Sequence, residues 1–130
     1  MLPLSHINVK LTIDGETYEV EHFTINFEQP TDFRGQPQHE IGGGQMTVQI
    51  SQIPSNNLYF WAKKSTLRKN GILLFQTDLG MTVMKVEFSN AYCINLTRQI
   101  NAHTGTNTVL RISPEKIKIN DVEHDNFWVK

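Results

Sequence analysis

The chain has 130 residues, a formal net charge of -1 and only 19% charged residues. That length can bury a sizeable core without cross-links, and the charge balance excludes the basic footprint of a nucleic-acid binder. The single cysteine, Cys93, excludes an internal disulfide and fits a reducing compartment of origin. No N-terminal apolar run reads as a cleavable leader, and none is long enough to span a bilayer.

Period-two alternation runs through most of the chain. Ile7, Val9, Leu11 and Ile13 alternate with polar residues and predict a first strand with one apolar face. Asp14-Gly15 then predicts a two-residue hairpin turn, because both central positions of a type I′ turn need positive φ. The second strand begins near Thr17. Its apolar phase is Tyr18 and Val20, then shifts to Phe23, Ile25 and Phe27, which predicts a bulge of the kind that turns barrel corners.

From Glu28 to Gly44 no period survives. The stretch holds Pro30, Gly35, Pro37 and the run Gly42-Gly43-Gly44. A long aperiodic segment in a compact domain is usually functional or disordered. Phe33 and Ile41 have no local core to join. The segment reads as an arm that packs on another subunit, or else as a loop folded over its own barrel.

Gln45–Ile53 predicts the third strand, ended by Pro54. Ser55, Asn56 and Asn57 are good helix starts, and Leu58, Trp61, Ala62 and Ser65 fall on one helical face. Asn70-Gly71 reads as the helix stop. Leu58 and Trp61 are expected to plug an open side of the barrel. Ile72–Thr77 is a further strand. Met81–Phe88 and Ala91–Ile100 are expected to pair as a hairpin about Ser89-Asn90. Thr108–Ser113 and Lys116–Asn120 follow, separated by Pro114, which implies an edge or bulge. The tail Phe127, Trp128, Val129 is too apolar to dangle.

Chemistry is sparse. His6, His22, His39, His103 and His124 show no metal-ligand spacing, so no metal or cofactor site is expected. Glu19 and Glu21 share a strand and read as a solvated face. No nucleophile elbow or P-loop is present. Catalytic residues are therefore expected to be none, and the informative property is architectural: an amphipathic-strand barrel with edges that other copies can pair. A small barrel binding a ligand or glycan in its mouth is the alternative.

Several segments, in order, resemble Hcp (TssD), the tube protein of the bacterial type VI secretion system, in a divergent short form. They are Leu11-Thr12-Ile13-Asp14-Gly15 with Tyr18 and Val20, then Asp32 and Gly35-Gln36-Pro37 leading to Gly43-Gly44. Trp61, Gly71 and Ile72 follow, with Phe88 and Ala91-Tyr92-Cys93. Last come Leu110-Arg111-Ile112-Ser113, Ile117, Ile119, His124, Asn126 and Trp128. Pro114 and Asn120 depart from the family pattern, where a small residue and a glycine are usual.

The resemblance implies a mainly β protein over residues 1–130. Its fold would be a closed antiparallel two-sheet β-barrel, similar to phage tail-tube proteins, with one flanking helix and a long extended loop. It implies homohexameric rings that stack into a hollow tube, carry effectors in the lumen, and work with sheath and spike components. It further implies no enzyme activity, no nucleic acid and no membrane insertion, and a cytoplasmic protein exported without a cleavable signal peptide. The loop implied to bridge subunits or rings maps here to Asp32, Phe33, Arg34, Gly35, Ile41, Gly43 and Gly44.

Overall fold

The computed structural model describes residues 6–28 and 42–128. It contains β1 (Ile7–Ile13), β2 (Glu16–Glu28), β3 (Gly42–Ile50), α1 (Asn56–Lys63), β4 (Lys69–Thr77), β5 (Thr82–Asn101), β6 (Gly105–Ser113), β7 (Lys116–Ile119) and β8 (Val122–Asp125). All pairings are antiparallel. The order β4-β1-β2-β3-β6-β5 closes on itself because β4 also pairs β5, and β7-β8 extends from β5.

The alternating residues become the core because one face of each strand points inward. Leu11, Val48, Ile50, Leu73, Val86, Leu110 and Ile112 are all fully buried, and Trp61 sits among them. Asp14 and Gly15 both take positive φ (54° and 74°), as the β1–β2 turn requires. The phase change in β2 is a bulge: the register shifts between Val20 and His22.

Three sequence expectations are corrected. First, Ser89-Asn90 is no hairpin turn. β5 runs unbroken from Thr82 to Asn101, its first half pairing β4 and β7 and its second half β6. A type I′ reversal needs two consecutive positive φ values, and here only Asn90 has one (51°). The chain bends instead. Asn90 N–H donates to Asn70 Oδ1 (2.9 Å), and its side-chain amide donates to the buried Glu115 Oε1 (2.9 Å). The true hairpin partner of β5 is β6, through the turn between Asn101 and Gly105.

Second, α1 ends at Lys63, and Asn70-Gly71 lies inside β4. Gly71 is not a cap. A Cβ there would lie 2.4 Å from the ring of Phe88, so glycine makes room for a core aromatic on the paired strand. Ser55 makes no side-chain cap; its backbone N–H donates to the Tyr18 hydroxyl (3.2 Å), and that hydroxyl donates to Glu16 Oε2 (2.6 Å). Third, β3 starts at Gly42 and ends at Ile50, so Gly42 and Gly43, read as loop, pair with Glu28 and Phe27, and Gly44 falls at a register shift.

Pro114 interrupts one long ladder. Tyr92↔Ser113 and Ser89↔Lys116 share one register on β5, so β6 and β7 are a single strand broken at Pro114-Glu115. Asn120 takes φ 55° in the β7–β8 turn, the conformation a glycine would supply.

Thr108 is an inward-facing exception. It is fully buried, and its hydroxyl has no hydrogen-bond partner. Valine keeps the shape and removes the unpaired group. Thr108→Val is therefore expected to stabilise the barrel by about 1 kcal/mol, read as a higher denaturation midpoint. A lower midpoint would show that the hydroxyl is satisfied, for example by a buried water.

Candidate assembly surface

Two strands outrun their neighbours. β2 pairs β1 only from Glu16 to Val20, while its pairing with β3 continues to Glu28. β5 pairs β4 up to Ala91 and β6 from Tyr92 onward. Past the β2 bulge and the Asn90 bend, the barrel therefore splays into a four-stranded sheet in the order β2-β3-β6-β5. Among the described residues, 22–28 of β2 and 92–101 of β5 have no strand on their outer sides. Unpaired N–H and C=O groups in such rows are templates for another chain.

One face of this sheet is core: Met46, Val48, Ile50, Leu110 and Ile112 are buried, with Phe23 and Ile25 against them. The other face is polar. Its cross-strand rows read Thr24, Thr47, Arg111, Asn95 and His22, Gln49, Val109, Thr97. Asn26 with Gln45 and Gln99 with Asn107 extend it. The period-two pattern put these side chains on one face because each apolar neighbour took the other.

Glu28 and Gly42 pair at one margin of this sheet, where β8 takes over from β3 beside the long ladder. Asn126 bridges that fork: its amide donates to Gly43 O (2.9 Å) and Pro114 O (3.0 Å), its backbone N–H donates to Glu115 O (2.8 Å), and Oδ1 meets His124 Nε2 at 2.9 Å. Phe27 packs edge-to-face on His124 at 5.2 Å. A Cβ at Gly43 (φ 131°) would lie 2.6 Å from Asn26 O, so the close approach of β2 and β3 requires glycine there.

Of the residues expected to act at an interface, Gly43 and Gly44 form this margin. Asp32, Phe33, Arg34, Gly35 and Ile41 lie outside the described residues. Leu58 and Trp61 are buried on α1, which packs on β5; Trp61 Nε1–H donates to Ala91 O (2.9 Å). Trp128 stacks on Tyr92, at 5.2 Å between ring centres. Asn90, Glu115 and the bridging role of Asn126 have no periodic signal, because each is a polar residue recruited by strands distant in sequence.

Burial pushes the Cys93 thiol up to about 11, against a weaker opposing hydrogen bond with Asn95 O. The hydrogen bond and charge of Lys85 lower the Glu87 carboxyl on an exposed strand face. Among the described residues, no three His, Cys, Asp or Glu side chains are placed to hold a metal ion. No helix among them is long and apolar enough to cross a membrane.

The fold is shared with solved Hcp proteins and with a prophage baseplate chain. Hcp1 from Flavobacterium johnsoniae superposes with a TM-score of 0.83 at 25% identity, over 92% of this chain and 99% of that one. Hcp1 from Salmonella typhimurium gives a TM-score of 0.73 at 14% identity, over 87% and 85%. A chain of the anti-feeding prophage baseplate, from a 6-fold symmetrised structure, gives 0.59 at 12% identity, over 92% and 95%. No curated protein matches the chain.

The splayed barrel and the family of its matches define the class: a structural tube subunit. The family model for hemolysin coregulated protein Hcp (TssD) matches residues 5–129, and the chain belongs to that family of type VI secretion tube proteins.

Proposed function

We propose that this chain closes as a homohexameric ring and that its rings stack into the hollow inner tube of the secretion machine. The observation that carries this reading is the four-stranded sheet whose two edges have no strand beside them among the described residues. Three successive antiparallel pairings make β5 antiparallel to β2. A copy rotated about an axis therefore offers its β2 edge to β5 in the antiparallel sense, and the alternation continues around the ring.

At about 4.8 Å per strand, six such sheets make a wall about 115 Å round and about 37 Å across between backbones. That is wide enough to carry a polypeptide. The 6-fold symmetry of the anti-feeding prophage structure supports the ring order.

The arm residues Asp32, Phe33, Arg34, Gly35 and Ile41 bridge neighbouring subunits or rings, with Gly43 and Gly44 setting the arm's exit. The Asn126 bridge and the Phe27–His124 contact hold the ends of β2 and β3 to the barrel. Residues 1–130 act as one barrel unit. The protein starts in the bacterial cytoplasm and is exported, with effectors in the lumen and sheath and spike components around and ahead of it.

Sedimentation and negative-stain imaging of the purified protein test the ring. Sixfold rings are expected, and deletion of Phe33–Ile41 is expected to leave the melting transition in place while weakening rings or stacks. A monomer at all concentrations, with no rings on the grid, sinks the reading.

A further inference from the structure

We propose that each junction between neighbouring copies carries its own apolar core, built from the barrel-side rows of the two open edges and set in one register. The occupant of each edge is a second copy of this chain. The inference rests on the ring reading and adds which side chains join the copies.

Edge strands are usually defended by lysines, prolines or inward charges. These two are not. Residues 22–28 hold no lysine, arginine or proline, and residues 92–101 hold one charge, on Arg98. On β2, Phe23 and Ile25 lie opposite the buried Val48 and Met46, so both point to the barrel side, and Phe27 follows in phase. Phe23 meets Phe75 of β4 edge-to-face at 5.1 Å. On β5, Leu96 and Arg98 lie opposite the buried Leu110 and Thr108, and Ile100 follows in phase opposite Thr106. The single chain leaves much of both rows in water: Ile100 is 68% exposed and Phe27 40%.

Arg98 does not spoil the row. Its guanidinium donates to the Tyr59 hydroxyl on α1 (2.9 Å), which leaves the aliphatic stem as a rung of the apolar face.

The pleat then restricts the register. Residues opposite each other in an antiparallel pair share a face, and a slip of one residue turns every side chain over. The apolar rows meet only where even-numbered residues of β5 oppose odd-numbered residues of β2. Within that set, one register gives all three barrel-side residues of 96–100 a partner in 22–28. It sets Ile100 against Phe23, Arg98 against Ile25 and Leu96 against Phe27. The same register sets Gln99 against Thr24 and Thr97 against Asn26 on the polar side, where hydroxyl and amide groups both donate and accept. Apolar therefore meets apolar and polar meets polar on the two faces of one seam, and such cross-strand pairs are what stabilise a sheet.

The test uses the full chain, with rings followed by sedimentation and the fold by melting below the ring-forming concentration. Ile100→Lys is expected to raise the concentration needed for rings at least about tenfold and to melt with the parent, because Ile100 is exposed in the single chain. Thr97→Lys, on the same edge but the polar face, is expected to keep parental rings. The double variant Asn26→Cys/Thr97→Cys is expected to cross-link copies on oxidation, since opposed strand positions lie within disulfide reach; both sites are exposed, and the native Cys93 is buried. Thr24→Cys/Thr97→Cys, one step out of register, is expected to cross-link far less. Parental rings in Ile100→Lys overturn the proposal, as does equal ring loss in Thr97→Lys or preferred cross-linking of the Thr24 pair. A parent without rings overturns the ring reading itself, a separable result.

Discussion

Trp61→Ala is expected to lower the unfolding free energy by about 3–5 kcal/mol, the cost typical of deleting a fully buried large aromatic. Trp61 has no exposed surface, and its indole N–H is the donor for the Ala91 carbonyl at 2.9 Å. Truncation therefore opens a cavity under α1 and strands a buried acceptor in the same step. Ala91 lies next to Asn90, so the loss falls on the bend where β5 changes partners.

Small domains have only about 5–15 kcal/mol in total, so this single change removes a large share. Trp61→Phe separates the two parts: it keeps most of the volume and loses the hydrogen bond, for an expected cost of about 1–3 kcal/mol. Urea melts of the three proteins provide the check. A loss below 1 kcal/mol for the alanine variant would show that the helix is not part of the barrel's core.

The second large effect is on assembly. Along a strand, successive N–H groups point to opposite neighbours. Of the adjacent residues Gln99 and Ile100, both exposed and both on the open-sided half of β5, one directs its N–H to β6 and the other to the unpaired edge. Proline at the edge-facing position removes a donor only a neighbouring subunit would use, and its ring blocks that approach.

Gln99→Pro and Ile100→Pro are therefore expected to diverge. One should melt near the parent temperature yet sediment as a monomer where the parent forms rings. The other should lose a ladder bond within its own barrel and melt lower. If both variants keep full rings and parental melting, strand-edge pairing is not what joins the subunits.

Much of this fold is readable before any tertiary contact is considered. Alternation in β1 and β3, and the Asp14-Gly15 turn, are local properties, and the inward residues Leu11, Ile13, Met46, Val48 and Ile50 follow from them directly. The phase slip between Val20 and Phe23 marks the bulge for the same reason: an extra residue must invert which face the following side chains occupy. Leu58 and Trp61 fall on the buried side of α1 because helical spacing leaves them no other common face.

Where reading the sequence failed, partners far along the chain made the decision. Ser89-Asn90 has turn-forming residues, but β4 and β7 claim one side of the bend and β6 the other, and Asn70 and Glu115 hold Asn90 in place. Asn70-Gly71 has the composition of a helix stop, but the Phe88 ring needs the space a side chain would fill. Resemblance to a tube family likewise came from ordered segments, whereas the open margins of β2 and β5 did not.

The amino-acid order alone determined a mainly β chain with one apolar face per strand and one short helix, because periodicity acts within a few positions. The tertiary structure alone decided which strand margins close the barrel and which, among the described residues, have no strand beside them. A strand's polar backbone is the same at every residue, so only the placement of distant segments determines where its hydrogen bonds are spent.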